Sequence, residues 1–247
     1  MLHADETPVP MLPPGKKKTH KAYIWAYAST PFSNLNAVIY HFTPGRSGQH
    51  AREMLGEWSG KLVCDDYSGY KASFAQGVAE IACMAHARRK FVELEVSGKS
   101  QIAGQAVEQI RQSRFKPILD ALHQWMQAQR TKIPHGTATA KALDYSLKRW
   151  TALTRYLVDG SVPIDNNRVE NLIRPWALGR KNWLFAGSLR SGRRAAAIMS
   201  LIQSAKLNGH EPYAYLKDVL TRLPKQKASA IDELLPHNWT PVTADKV

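Results

Sequence analysis

Three carboxylates in this sequence stand where a carboxylate needs a reason. Asp5 lies in "HADET", Asp65 ends the apolar run "KLVC", and Glu170 follows two amides in "IDNNRVEN". Arg174, Arg180 and Lys181 come soon after the third. Oxygen donors drawn from distant segments suit Mg²⁺, which takes near-octahedral oxygen ligands and often binds one or two carboxylates plus substrate phosphates. A pair of such ions can activate an attacking oxygen and stabilise a leaving one in phosphoryl transfer. Basic neighbours would hold a nucleic-acid backbone against them. Spacing alone is a weak signal, and each position has an ordinary explanation. Asp5 also reads as a turn residue before Pro8, and Asp65 or Asp66 as a cap on the turn at Ser68–Gly69. If Asn167 is an N-cap, Glu170 falls at N3 and closes a capping box. Asp66 rivals Asp65: in a strand the two point to opposite faces, so one alone can serve.

Other donors are sparse. Cys83 and His86 form a C-x-x-H, with Cys64 the one further thiol. Zinc normally takes four ligands, so the pair reads as a core thiol and a histidine that orients a site or touches a phosphate. Arg88, Arg89 and Lys90 extend the basic character. Across 247 residues, 34 Lys and Arg against 20 Asp and Glu give a net charge of +14. That balance points to a polyanionic partner, nucleic acid ahead of an anionic membrane surface. Two cysteines make no disulfide framework and fit a reducing compartment. The sequence holds no apolar run of transmembrane length and no basic-then-apolar leader, so a soluble intracellular protein is expected. Trp183 and Phe185, in an apolar stretch, read as packed side chains ahead of base-stacking ones.

The elements that must position these residues come in a clear order. "AYIWAYAS" and "NAVIYHFTP" are rich in aromatic and β-branched residues and read as strands. "HADETPV" reads as a short strand entering a loop, and "GKLVC" as a buried strand. "EIACMAHARRKFVEL" turns from strand to helix near Ala85. From about Val96 to Asp159 helical spacing takes over. There Ala142, Tyr145, Leu147, Trp150, Leu153 and Leu157 mark a buried stripe along one helix. A further helix is expected from the Asp-Asn-Asn, then an extended "NWLFAG", an apolar helix ending at Gly209, and a last helix between Pro212 and Pro224. Strands first and helices after suggest an α/β domain interrupted by a helical insertion.

"HADETPV", "LVCDDYSGY", "CMAHARRKF", "IDNNRVENLIRPWALGRKNWLFAGS" and "SLIQSAKLNGHEPYAYL" occur in this order. Together they resemble the catalytic half of the insertion-sequence-66 transposase family, from His3 to about Trp239. The resemblance implies a ribonuclease H-like mixed sheet with helices and a DDE acidic triad. On this sequence the triad is Asp5, Asp65 and Glu170, acting as catalytic residues and as ligands of Mg²⁺, or of Mn²⁺ in its place. The family's usual Asp-Gly-Tyr is Asp65-Asp66-Tyr67 here, which favours Asp65. Arg88, Arg89, Lys90, Arg174, Arg180 and Lys181 would contact DNA, with Cys83, His86 and Asn167 in support. Residues 1–95 would begin the catalytic domain and 96–160 form the insertion. Residues 161–200 would complete the domain, and 201–247 form a helical end.

The implied function is metal-dependent cleavage and transfer of DNA at insertion-sequence ends. The partners would be transposon ends, target DNA, and further copies of the chain or companion proteins of the element. The implied setting is the bacterial cytoplasm, at the nucleoid and away from membranes. Two departures stand out. The family's N-terminal region is missing ahead of "HADET", and the helical section between Phe91 and Trp125 is short. They sustain an alternative, a truncated and inactive DNA-binding remnant. With Met1 so close, Asp5 is also expected to sit on a strand end that frays.

Overall fold

The computed structural model describes residues 1–30, 33–87, 116–157, 159 and 162–241. By its contacts the chain divides into two compact units. The first comprises Met1–Gly60, Ser68–Val78 and Asn167–Val247, and the second Lys61–Tyr67 and Ala79–Asn166. Arg88, Arg89 and Lys90 lie outside the described residues.

The first unit is built on three antiparallel strands, β1 (Leu2–Met11), β2 (His20–Ser29) and β3 (Val38–Thr43), with β2 central. The β1–β2 ladder runs from Leu2↔Ser29 to Met11↔His20, so Asp5 is paired, opposite Ala26. Side chains alternate between faces. Val9 and Met11 share one face with Ala22, Ile24, Ala26 and Ala28 of β2 and Val38, Tyr40 and Phe42 of β3. Two helices cover that face: α6 (Asn167–Trp183), through Val169, Ile173 and Trp176, and α7 (Leu189–Leu207), through Ala196. Alanines along β2 keep this face low, so the helices lie close. Gly192 shows how close: a Cβ there would collide with the Phe42 ring. In this unit the outer backbone edge of β3 is satisfied by α7. Ser200 and Ser204, one helical turn apart, accept from the N–H groups of Tyr40 and Val38 at 2.8 and 3.0 Å. A strand edge that would otherwise invite foreign pairing is thereby closed.

On the opposite face Trp25 meets Tyr70 edge-on at 6.1 Å. Tyr70 ends a 3₁₀ turn between α1 (Gly48–Leu55) and α2 (Lys71–Ala75). The chain finishes with α8 (Pro212–Arg222), capped by Glu211, whose carboxylate accepts from Tyr213 and Ala214 N–H. Tyr215 and Val219 of α8 bury Leu234 and Trp239 in a small core of their own.

The second unit holds a parallel pair, β4 (Lys61–Cys64) and β5 (Ala79–Ala82), in the register Val63↔Ile81. Among its described residues are the helices α3 (Lys116–Lys132), α4 (Ala138–Lys148) and α5 (Trp150–Thr154), packed around Leu119, Leu122, Met126, Leu143 and Leu153. The single helix expected across Ala138–Leu157 breaks at Arg149, whose φ and ψ are −110° and 11°. The break shifts the helical phase. Leu143, Ser146 and Ala152 join Ala142 and Leu153 in the interior, while Tyr145, Leu147, Trp150 and Leu157 are half-buried at its margin.

The architecture is therefore mixed α/β, with antiparallel and parallel pairing both present. Among the described residues no helix is long and apolar enough to cross a membrane.

Candidate functional site

Asp5 and Glu6 are neighbours on β1 and point to opposite faces. Glu6 is all but buried beside Tyr70, whose hydroxyl donates to it at 3.3 Å, and Arg46 donates to it through Nε at 2.8 Å. A buried carboxylate so engaged is structural. Asp5 lies on the other face, in line with Thr7, Val9 and Met11 beneath α6. Its Oδ1 accepts from the Glu6 N–H at 2.9 Å.

The direction of α6 follows from its two ends. Arg168 donates to the carbonyl of Ser29, the residue paired with Leu2. Arg180 donates through one nitrogen to Thr7 Oγ1 at 3.1 Å and to the Pro8 carbonyl at 2.9 Å. The first turn of α6, which carries Glu170, thus lies toward the Leu2 end of β1, on the face that presents Asp5. Because the helix begins at Asn167, Glu170 is its fourth residue rather than N3 of a capping box. The first unit accordingly puts two of the three expected carboxylates in one layer.

The second unit separates the two adjacent aspartates by task. Asp66 forms an ion pair with Arg149, which is 8% exposed and pairs also with Glu80. Burial works against the Arg149 charge, and Glu80, Tyr145 and Asp66 more than offset it, so its pKa stands above the usual value. Asp65 is engaged by backbone instead. Its Oδ1 accepts from Tyr67 N–H at 3.1 Å, which fixes the carboxylate just past the end of β4. Arg149 donates to the Asp65 main-chain carbonyl at 3.2 Å. Asp65 is therefore held in place from both its side chain and its backbone.

Cys83 is fully buried, and its Sγ accepts from Asn166 N–H at 3.3 Å. Met84 N–H donates to the Ile164 carbonyl at 3.0 Å. The thiol and its neighbour thus fix the segment that immediately precedes α6 in the chain. A His86 ring nitrogen lies within 4.8 Å of that sulfur. Asn167 is exposed, whereas Asn166 is 1% exposed and is the more constrained amide.

Arg174 and Lys181 are exposed on α6. Arg180 is half-buried; beyond its bonds to β1 it lines a cleft of about 380 Å³ with Pro8, Pro10, Thr19, His20 and Lys21. Trp183 and Phe185 are 46% and 40% exposed, against the expectation that they pack inside. The reason is local: α6 runs on to Trp183, and a tight turn then carries the chain outward before Ala186 rejoins β1.

Sequence reasoning missed Arg149, Arg168 and Asn166. Each is a polar residue in a helical or turn context with a bond to a distant part of the chain, which no local pattern marks. The carboxylates expected from the sequence to bind metal, Asp5, Asp65 and Glu170, each offer oxygen alone. That suits a hard divalent cation such as Mg²⁺ and does not suit zinc, which favours nitrogen and sulfur.

Comparison with known proteins gives this chemistry a context. The family described as "Transposase IS66 family" matches residues 1–113 and 106–194, and "IS66 C-terminal element" matches residues 200–237. Three proteins of Sinorhizobium fredii (strain NBRC 101917 / NGR234), each named only as uncharacterized, are similar. The protein y4qI is 37% identical over 274 residues, covering 97% of this chain and 51% of its own length. The protein y4jD is 35% identical over 272 residues, covering 96% and 53%. The protein y4hP is 32% identical over 286 residues, covering 100% and 52%. The chain spans about half the length of these curated relatives. With its described strands and its acidic motifs inside the first model's segments and its last helix inside the second's, the chain belongs to the IS66 transposase family.

Proposed function

We propose that the chain is a DDE transposase catalytic domain with ribonuclease H-like organisation, cleaving DNA at insertion-sequence ends and transferring it to target DNA. The observation that carries this reading is the layer shared by Asp5 and Glu170, in a chain whose third motif carboxylate, Asp65, is fixed at a strand end by backbone. Water attacks a phosphodiester at the element end, breaking its P–O3′ bond to leave a 3′-hydroxyl and a 5′-phosphate; that hydroxyl then attacks a target phosphodiester, joining to its phosphorus as the target P–O3′ bond breaks and a target 3′-hydroxyl departs. Asp5, Asp65 and Glu170 would hold Mg²⁺ or Mn²⁺, which would supply Lewis-acid activation and neutralise phosphate charge. The chain's own part is positioning and electrostatics, as is general in phosphoryl transfer. The Tyr67 N–H and Arg149 hold Asp65. Cys83 holds the approach to α6, with His86 and Asn167 beside these groups in the sequence. Arg174, Lys181 and the outward part of Arg180 meet DNA phosphates, with Arg88, Arg89 and Lys90 extending that surface. Joining two DNA ends requires more than one copy of the chain or a companion protein. The bacterial nucleoid is the setting this reading implies.

The test is nicking of labelled DNA carrying the element's own ends, with Mg²⁺ or Mn²⁺. Asp65→Asn and Glu170→Gln are each expected to lower the rate by more than about 100-fold, since even outer-shell partners of a metal cost 10–100-fold. Nicking that persists in both variants would sink the site assignment.

A second reading has its own support. The family match falls in two pieces that meet at residues 106–113, and the alignments with the relatives run longer than the 247 residues of this chain. The relatives therefore carry residues that this chain lacks internally, as a shortened helical section would leave. An inactive DNA-binding remnant would bind the same DNA and leave it uncut with either metal.

A further inference from the structure

Among the described residues, Leu184 is the only non-glycine residue with a positive φ, +63°. It centres a three-residue turn in which Phe185 N–H donates to the Trp183 carbonyl at 2.7 Å. A γ-turn of that hand is rare and strained. A branched side chain there normally needs compensation from its surroundings. Leu184 has little, because it is 70% exposed. The turn is nonetheless held firmly. Trp183 rests edge-on against Trp176 at 5.2 Å and fills the space over Gly179, where a Cβ would fall 2.5 Å from its ring. On the far side Ala186 bonds with the Pro10 carbonyl and the Leu12 N–H at 2.8 and 2.9 Å. The result is a rigid apolar tip, Leu184 with the 40%-exposed Phe185 beside it.

Its neighbourhood is basic. Leu12, to which the turn is tied, leads into the exposed hairpin loop with Lys16, Lys17 and Lys18. His20, Lys21 and Arg180 line the adjoining cleft. An apolar point beside a basic strand end and loop fits a polyanion with flat apolar faces between its charges. Nucleic acid has that chemistry. A lipid surface also combines anions and apolar matter, but membrane binding scales with apolar area, and this tip is too small to anchor there.

We propose that Leu184 is a wedge that enters an unstacked base step of DNA, with Phe185 against the exposed base and the Lys16–Lys18 loop on the phosphates. Apolar wedges of this kind unstack steps and kink the duplex. The proposal rests on the reading of the chain as DNA-binding and is independent of catalysis.

The test uses the full chain without metal and duplexes carrying 2-aminopurine in a thymine–purine step, the type that unstacks most easily. At saturating protein the fluorescence is expected to rise about threefold or more as the base leaves the stack. Leu184→Ala, at an exposed position, is expected to bind and to lose that rise. Replacing Lys16, Lys17 and Lys18 by Gln is expected to keep the rise at saturation. It should flatten the slope of log affinity against log salt by up to about 0.9 for each phosphate no longer neutralised. An undiminished rise in Leu184→Ala overturns the wedge, and an undiminished rise in Phe185→Ala overturns the part given to Phe185. Wild-type binding with no rise overturns it too and leaves the DNA-binding reading standing. Binding to anionic phospholipid vesicles with no binding to DNA overturns both. An unchanged salt slope in the triple variant overturns the assignment of the lysine loop.

Discussion

Asp65 and Asp66 differ by one position in the chain and by what holds their carboxylates. Asp66 holds Arg149, and Asp65 is held by a backbone N–H. Asp66→Asn should therefore spare nicking where Asp65→Asn ends it. Arg149→Ala leaves Asp66 and Glu80 without their cation. Breaking such a pair at a buried arginine is expected to cost roughly 2–4 kcal/mol, read from the urea midpoint. The sequence could rank the two aspartates only through family likeness, because what separates them is an arginine more than eighty residues away. A second residue-level expectation concerns pH. Burial first, then the positive neighbours His50 and Arg193, hold the His41 pKa below its ordinary value, with Glu53 opposing. The folded state thus binds its proton less readily than the unfolded chain does. The resulting stability is full above the ordinary histidine pKa and falls as pH drops through it, levelling off below the folded pKa. The urea midpoint should be lower near pH 5.5 than near pH 7.5, and His41→Gln should remove that part of the difference.

At the scale of elements, the packing of α7 on β3 depends on a missing side chain. Gly192→Ala would gain helix propensity of about 1 kcal/mol, yet its Cβ would meet the Phe42 ring, which is 1% exposed. Overpacking of this kind costs about 1–3 kcal/mol, so a net loss is expected. Phe42→Leu in the same chain should recover part of it, and a double-mutant cycle by thermal melting measures how much. The strands β2 and β3 were legible because their β-branched and aromatic runs are local signals. So was the C-terminal helix α8 between its prolines. The break at Arg149 was not legible. Helical periodicity runs straight through "SLKRWTAL", and the pull that breaks it is an ion pair with β5 and the turn after β4. The outward exposure of Trp183 and Phe185 escaped for the same kind of reason. Aromatic composition predicts burial, and only the turn at Leu184 reverses it.

For the molecule as a whole, the charge of +14 sets the expected form of DNA binding. If six or more phosphates are contacted, affinity should fall by about 10³-fold or more between about 50 and about 200 mM salt, measured by fluorescence anisotropy. A flat salt response would contradict the basic surface proposed around α6. The architecture has one more consequence, which concerns the time before the protein is complete. The strands of the first unit end at Thr43, but the helices that cover them begin at Asn167. The serine that closes the backbone of Val38 comes 166 residues later. At 5–20 residues per second, a ribosome leaves that apolar face and that open strand edge uncovered for roughly 10–30 s. Each newly synthesised chain therefore passes through an interval in which sticking to another nascent copy competes with folding, and the yield of folded protein is expected to drop as its own messenger becomes more heavily translated.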